Sequence, residues 1–335
     1  MNKKTTIKEV AKKANVSTAT VSNVINNTKF VSEEVRQRVL QVIEELDYQA
    51  NTLAKSLRIQ ESRLIGVIVS DIANPFFSKV VSGIEKGAAE NGYNILLCNT
   101  ASNIEKEIEF LDILIGKRVE GLIISSSGTT KEYFTSLEKL DIPIVFLNRS
   151  PNTPSHKVVI TNNIEGAYKA TEHLIQHGYS RIGIISGPNS LSTGKDRLTG
   201  YNRAMEDYHL SIPETYIQEG DFSIESGYHA MKDLLSKNQN LEACLISNNF
   251  MTLGAHKYMK EVGIKVPKDI AIIGYDDSDW ADVMDSPLTT VKQPTLEQGQ
   301  SAIEMLLATI RQENFHQQQI LYLQPSLVIR NSCGC

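Results

Sequence analysis

From residue 6 onward, apolar positions recur at helical spacing. Ile7, Val10, Ala11 and Ala14 share one face. Thr6, with Glu9 three residues later, forms a capping box at the start of that helix. Asn15 and Val16 break the pattern, and Ser17 stands where a second helix would be capped. Val21, Val24 and Ile25 point inward from that short helix, leaving Thr18, Ala19, Thr20, Ser22, Asn23 and Asn26 outward. A third helix is predicted behind a Ser32 cap. Glu33 and Glu34 lie in its first turn, and Val35, Val39, Val42, Ile43 and Leu46 form its apolar face. Three helices within the first 50 residues, the first two joined by a short turn, make the helix-turn-helix pattern.

Residues 51–57, Asn-Thr-Leu-Ala-Lys-Ser-Leu, are too few to hold a helix alone, and Arg58 to Arg63 is a polar linker. From Leu64 the texture changes. Apolar runs of strand length fall at Leu64–Val69, Asn94–Cys98, Gly121–Ser125, Ile144–Leu147, Val158–Thr161, Ile182–Ser186, Ala243–Ser247 and Ile270–Gly274. Amphipathic stretches such as Phe77–Asn91, Glu165–His177 and Thr252–Val262 lie between them. Near-continuous apolar strands alternating with helices predict parallel sheets covered on both faces. There are too many strands for one small sheet, so two βα lobes facing a hinged cleft are expected.

Composition is that of a globular chain: 335 residues, 41% hydrophobic and 22% charged. No apolar run approaches the ~18 residues of a membrane span. The first residues lead into a charged helix and not an apolar signal core, so a cytoplasmic protein without membrane partners is expected. The net charge of −5 argues against nucleic acid, but its distribution reverses that. Residues 1–63 hold 11 Lys and Arg against 7 Asp and Glu, while the remainder holds 23 against 32. A basic head on an acidic body suggests that only the head meets phosphate. Of four cysteines, Cys98 and Cys244 sit in distant apolar runs and Cys333 and Cys335 at the extreme tail, which is no disulfide framework. The tail Cys-Gly-Cys is a weak metal signal, and a disordered tail is expected there; His173 and His177, four apart, are expected on a solvated helix face. No metal and no cofactor are expected.

The head motifs Thr6-Ile7-Lys8-Glu9-Val10-Ala11, Val16-Ser17-Thr18-Ala19-Thr20-Val21-Ser22 and Val24-Ile25-Asn26, followed by Tyr48 and Ala54-Lys55-Ser56-Leu57, resemble the lactose/galactose repressor (LacI/GalR) family. The body carries matching segments in family order: Asn74-Pro75-Phe76-Phe77, Val119-Glu120-Gly121-Leu122-Ile123, Arg197-Leu198-Thr199-Gly200-Tyr201, Val266-Pro267-Lys268-Asp269-Ile270, Gly274-Tyr275-Asp276-Asp277 and Leu288-Thr289-Thr290-Val291-Lys292-Gln293-Pro294. The head is most similar to the purine repressor branch. The resemblance implies an all-α helix-turn-helix domain at 1–50 and a hinge helix and linker at 51–63. It implies an α/β two-lobed effector domain at 64–335, like a periplasmic binding protein, with parallel sheets. Lobe 1 would span about 64–161 and 294–320, lobe 2 about 163–291 and 321–335.

At the DNA end, the resemblance places Thr18, Ala19 and Asn23 against base edges in the major groove of a double-stranded operator. Thr6, Ser17, Thr20, Ser22 and Asn26 would contact phosphate; the plain alternative for Ser17 is a helix cap alone. Residues 51–57 would become helical on DNA, with Leu57 wedged into the minor groove, Ala54 allowing close approach and Lys55 reaching phosphate. Otherwise Leu57 simply ends a short helix core. Two departures stand out. Asn23 replaces the Arg of many members, which shifts preference from guanine toward adenine, and Ala50 replaces a common Pro, which removes a pre-set helix start. Paired hinge helices imply a homodimer on a palindromic site, and no heptad tail follows to make a tetramer.

At the other end, segments following strand ends should face the cleft: Phe76 and Phe77, Thr193 with Arg197, Asn248 and Asn249, and Asp276. By resemblance Arg197 and Asp276 grip hydroxyls, and Phe222 and Trp280 wall the ligand. Asn162 and Asn249 replace frequent Asp residues, and Leu191 stands where the purine branch would carry a purine-contacting Arg. A sugar or sugar phosphate is therefore preferred as effector, with a purine or a partner protein as alternatives. A sugar-transport protein would share the body but not the basic head. The chain shows no nucleophile elbow, phosphate loop or dinucleotide fingerprint, so no enzyme is expected.

Overall fold

The computed structural model describes residues 5–26, 29–48, 62–151, 156–313 and 319–335. The chain divides into two compact units, residues 1–62 and 63–335. The expected hinge segment lies outside the described residues.

The small unit is built from α1 (Ile7–Ala14), α2 (Thr18–Asn26) and α3 (Glu33–Glu45). Val10, Ala14, Val21, Val24 and Val39 form its buried centre, with Val16, Val35 and Leu46 around them. The Thr6–Glu9 capping box is present: the Glu9 amide donates to the Thr6 hydroxyl, and the Thr6 amide donates to the Glu9 carboxylate at 2.7 Å. Asn15 ends α1 at φ 53, a left-handed conformation its short polar side chain tolerates, and Val16 N–H donates to the Ala11 carbonyl at 3.0 Å. Ser32 occupies the expected cap position of α3 but makes no side-chain cap bond. That helix start relies instead on Glu33 and Glu34, whose charges favour the amide end of the dipole.

The large unit begins with β1 (Leu64–Val69), α4 (Pro75–Glu90), β2 (Asn94–Asn99), α5 (Ile104–Gly116), β3 (Gly121–Ile124), α6 (Lys131–Glu138), β4 (Ile144–Leu147) and β5 (Lys157–Thr161). It continues with α7 (Asn163–Gln176), β6 (Ile182–Ser186), α8 (Ser192–Asp207), β7 (Ile217–Glu219), α9 (Ile224–Lys237), β8 (Ala243–Ile246), α10 (Asn249–Glu261), β9 (Ala271–Tyr275) and β10 (Thr289–Lys292). Then come α11 (Thr295–Ile310), β11 (Ile320–Leu323) and β12 (Ser326–Val328). Two six-stranded sheets result, ordered β11-β5-β4-β3-β1-β2 and β12-β10-β9-β8-β6-β7. Every pairing is parallel except β10 with β12. Strands β3, β6, β8 and β9 are buried along their whole length, as apolar runs covered on both faces must be.

The chain crosses between the sheets three times, at Asn162, at Gln293–Pro294 and at Gln324–Pro325. The last crossing lies beyond the expected position near residue 320, because β11 pairs in parallel with β5 and so belongs to the first lobe. The short edge elements β7, β11 and β12 and the polar-ended β10 are not predicted by the apolar pattern, since each carries a polar or hydroxyl-bearing residue where the similarly short β3, β4 and β8 are apolar throughout. The tail is not disordered. Ser332 lies fully buried, its carbonyl accepting from Ile272 N–H at 2.8 Å and its hydroxyl donating to the Ile272 carbonyl at 2.7 Å. Cys333 is buried as well.

Helices α4 and α11, joined only through the crossings, cover one face of the first sheet. They touch backbone to backbone at Gly83 and Gly299: a Cβ on Gly299 would overlap the Val80 carbonyl, and one on Gly83 the Leu296 carbonyl. Neither obstacle is a flexible side chain, so the helices themselves would have to separate. Gly299→Val should therefore destabilise the large unit by about 1–3 kcal/mol or more, measured by denaturant unfolding. An unchanged midpoint would show that the helices can part freely.

Candidate nucleic-acid interface and ligand cavity

In the small unit, α2 exposes Thr18 and Ala19, with Thr20, Ser22 and Asn23 half-buried. Ser17 is exposed and serves as a cap: its hydroxyl accepts from Thr20 N–H at 3.0 Å and pairs with the Thr20 hydroxyl at 2.9 Å. The Thr6 hydroxyl donates to the Glu9 carboxylate at 3.0 Å, so any bond it makes to a phosphate competes with the capping box. Asn26 closes α2, but its side chain lies outside the description, and Ala54, Lys55 and Leu57 fall outside the described residues. Phe30, 96% exposed beside Lys29 in the turn before α3, was not singled out from the sequence.

The large unit holds a cavity of about 480 Å³ between its two sheets. Phe76, Phe77, Thr193, Arg197, Phe222, Asn248 and Asp276 line it as expected, joined by Asn74, Asn148, Arg149, Phe250 and Gln293, which are not among the expected ligand contacts. Asn148 and Arg149 follow β4, and Gln293 follows β10, so position after a strand end was the available signal.

Arg197 is nearly fully buried. Its Nε donates to the Asn163 side-chain oxygen at 2.9 Å, its Nη1 donates to the Ser247 carbonyl, and its guanidinium lies 3.7 Å from the centre of the Tyr275 ring. Tyr275 in turn donates its hydroxyl to the same Asn163 oxygen at 3.1 Å. The neighbouring Asp276 takes φ 70 and accepts from the Gln293 amide. Burial raises the Asp276 carboxyl above the usual range, opposed by the Arg197 charge and the Gln293 bond. From the other lobe, Arg149 donates to the Ser126 carbonyl at 2.9 Å, while its Nε is buried with no partner among the described residues. Burial pushes the Arg149 guanidinium down to about 10, with Arg197 adding repulsion and Glu107 opposing it. Two cations thus converge at one cavity with the Asp276 carboxylate and four Phe side chains, and Asp71 and Asp221 also line it.

Asn249 and Trp280 are not among the lining residues. The Asn249 amide is buried against that of Asn74: each side-chain nitrogen donates to the other's oxygen at 2.9 Å, across the two lobes. Trp280, in a short 3-10 turn at Asp279–Val283, packs instead against the lobe 2 core around Met251 and Ile272. Lys79–Asp279 at 2.9 Å and Ser150 N–H to the Ser192 hydroxyl at 2.9 Å also join the lobes across the cleft.

Residues 62–326 match the periplasmic binding proteins and sugar binding domain of the LacI family, and residues 6–51 match the bacterial regulatory proteins of the lacI family. The chain belongs to the LacI family. The HTH-type transcriptional repressor PurR of Aliivibrio fischeri is 38% identical over 330 residues, 98% of each chain. PurR of Photobacterium profundum is 36% identical, again over 98% of each. Among solved structures, a Lac repressor dimer bound to operator and the anti-inducer ONPF superposes with a TM-score of 0.88 at 30% identity over 99% of both chains. A CelR–cellobiose complex gives 0.76 at 30% identity, covering 98% of this chain and all of the other. This LacI-family member is accordingly a transcriptional repressor and not an enzyme, with a DNA-binding helix-turn-helix head and an effector-binding body. No helix among its described residues is long and apolar enough to cross a membrane.

The reciprocal amide pair makes a prediction. Asn249→Ala removes both bonds and leaves the buried Asn74 side-chain nitrogen without its acceptor, while its oxygen still accepts from Phe76 N–H, at a cost of about 1–3 kcal/mol. The body should melt at lower temperature and adopt a larger mean radius in small-angle scattering. Identical melting and scattering would mean that the pair does not hold the lobes together.

Proposed function

We propose that this repressor binds a palindromic operator as a homodimer in the cytoplasm and that a sugar or sugar phosphate in the cleft sets its affinity for DNA. Thr18, Ala19 and Asn23 read base edges in the major groove. Thr6, Ser17, Thr20, Ser22 and Asn26 contact phosphate. Residues 51–57 form the hinge helix, with Leu57 in the minor groove beside Ala54 and Lys55. Supporting the head assignment is the outward face of α2, where Thr18 and Ala19 are exposed.

The observation that carries the effector class is the convergence of Arg149, Arg197 and Asp276 in a cavity with phenylalanine walls. A sugar offers vicinal hydroxyls that donate to Asp276 and accept from Arg197, and apolar ring faces for Phe76, Phe77 and Phe222. A phosphate group would satisfy the second buried cation. Thr193 and the amides of Asn148 and Asn248 both donate and accept, as a polyol requires. Asn249 and Trp280 act behind the site, as lobe latch and wall support. A purine is the alternative, favoured by the named purine-type repressors at 36–38% identity and by the aromatic walls. Leu191, which carries no hydrogen-bonding side chain, weighs against it.

Thermal unfolding with sugars, sugar phosphates and nucleobases decides between them. A ligand at ~100 times its dissociation constant adds about 2.7 kcal/mol of stability, visible as a shift of a few degrees. Arg197→Ala and Asp276→Ala should each abolish the shift; a shift that survives both places the ligand elsewhere. A hit with nucleobases alone would overturn the sugar assignment. On the DNA side, Leu57→Gly should keep effector binding and lose most specific operator affinity, measured by fluorescence anisotropy. Equal operator affinity would remove the minor-groove wedge from the mechanism.

A further inference from the structure

The C-terminal Cys-Gly-Cys does not hang free. Cys333 and Cys335 lie with His173 and His177, which sit at the last turn of α7 and just beyond it. One ring nitrogen or sulfur from each of His173, Cys333 and Cys335 lies within 4.8 Å of the other two. His173 Nε2 and His177 Nε2 each lie 3.2 Å from the Cys335 sulfur, and the two sulfurs are 2.7 Å apart. The two imidazole rings are 4.3 Å apart between centres. All four cysteines of the chain are free.

We infer that these four side chains form a structural zinc site that clips the C-terminus to α7. Zinc takes two thiolates and two imidazoles at about 2.3 and 2.0 Å, which sets tetrahedral edges of roughly 3.3–3.8 Å. The His173, Cys333 and Cys335 ligand atoms lie within 4.8 Å of one another and His177 Nε2 lies 3.2 Å from the Cys335 sulfur, so a tetrahedral set needs the two sulfurs, 2.7 Å apart, to separate by about 1 Å and the side chains to turn toward one centre. His173 and His177 follow His-x3-His spacing on one helix face, as zinc pairs do.

The surroundings are those of a supported ligand set. His177 Nδ1 donates to the His173 carbonyl at 2.8 Å, which leaves Nε2 with its lone pair toward the cysteines. The Thr289 hydroxyl lies 3.0 Å from the Cys333 sulfur and 3.1 Å from the Arg330 carbonyl, so its single proton can turn to a thiolate at Cys333. Gly334 adopts φ 88, and a Cβ there would collide with the Tyr179 hydroxyl; this backbone turn is what brings two alternate cysteines to one point. Ser332, next to Cys333, is bonded to β9 and β10, and Gly334 N–H donates to the Asn331 carbonyl at 3.1 Å, so the turn that presents the two sulfurs is held by the protein itself. On binding, both thiols release their protons to solvent as the zinc–sulfur bonds form.

The test uses the full-length reduced protein and zinc or cobalt(II) alone. Native mass spectrometry should show one zinc per chain, and cobalt should give the intense visible bands of a tetrahedral thiolate site. Cys335→Ser and His177→Ala, both at exposed positions, should weaken zinc binding by about 10-fold or more. Each variant should melt with the chelator-treated parent, and zinc should raise the melting temperature of the parent alone. Zinc uptake equal in parent and variants would overturn the assignment, as would no stoichiometric uptake by the reduced protein. A Cys333–Cys335 disulfide that persists in protein kept under reducing conditions would overturn it as well.

Discussion

A guanidinium removed from water has to be held by its surroundings, and in this repressor that requirement organises the body. Arg197 draws together Asn163 at the first crossing, Ser247 after β8, and Tyr275 at the end of β9. Four segments far apart in sequence therefore share one buried cation. Asp276 and Gln293 extend the network to the second crossing. The cost of burying the charge is offset by hydrogen bonds and by the aromatic face, and not by a carboxylate in direct contact. That leaves Asp276 available as an acceptor at the cavity wall.

The same economy appears between the lobes. Inside each lobe, parallel strands and backbone-close helix pairs such as α4 with α11 leave little freedom. Across the cleft, the polar links include one amide pair, one exposed ion pair and one backbone-to-hydroxyl bond. Exposed ion pairs contribute about 0–1 kcal/mol, so the buried amide pair dominates. Two rigid bodies joined by three crossings and a few weak links can change their angle at small cost, and a ligand touching Arg149 on one side and Arg197 on the other would favour one angle.

Much of this was legible along the chain. The three head helices follow from capping residues and a strict apolar spacing, and Asn15 marks the break between the first two because few other residues accept a left-handed turn. Eight strands, β1 to β6, β8 and β9, follow from apolar runs. Three of the four edge strands, β7, β11 and β12, did not, because their residues pair on one side only and need not be apolar, and neither did the interior β10, with its polar Thr289, Thr290 and Lys292. Of the cavity residues, Phe76, Arg197 and Asp276 were accessible through resemblance and position after strands. Asn249 and Trp280 carried the right chemistry, but neither lines the cavity: the Asn74 amide occupies the first, and a 3-10 turn aims the second inward.

By itself the sequence determined the element types, the head core and the basic-head, acidic-body division, because local periodicity, capping chemistry and charge need no partner to be read. Tertiary structure alone decided where the last crossing falls, which amides meet across the cleft, and that a tail expected to be disordered docks beside two histidines over 150 residues earlier. Those contacts join positions with no periodic relation, and their energies arise from burial and from partners that exist only once both sheets have formed.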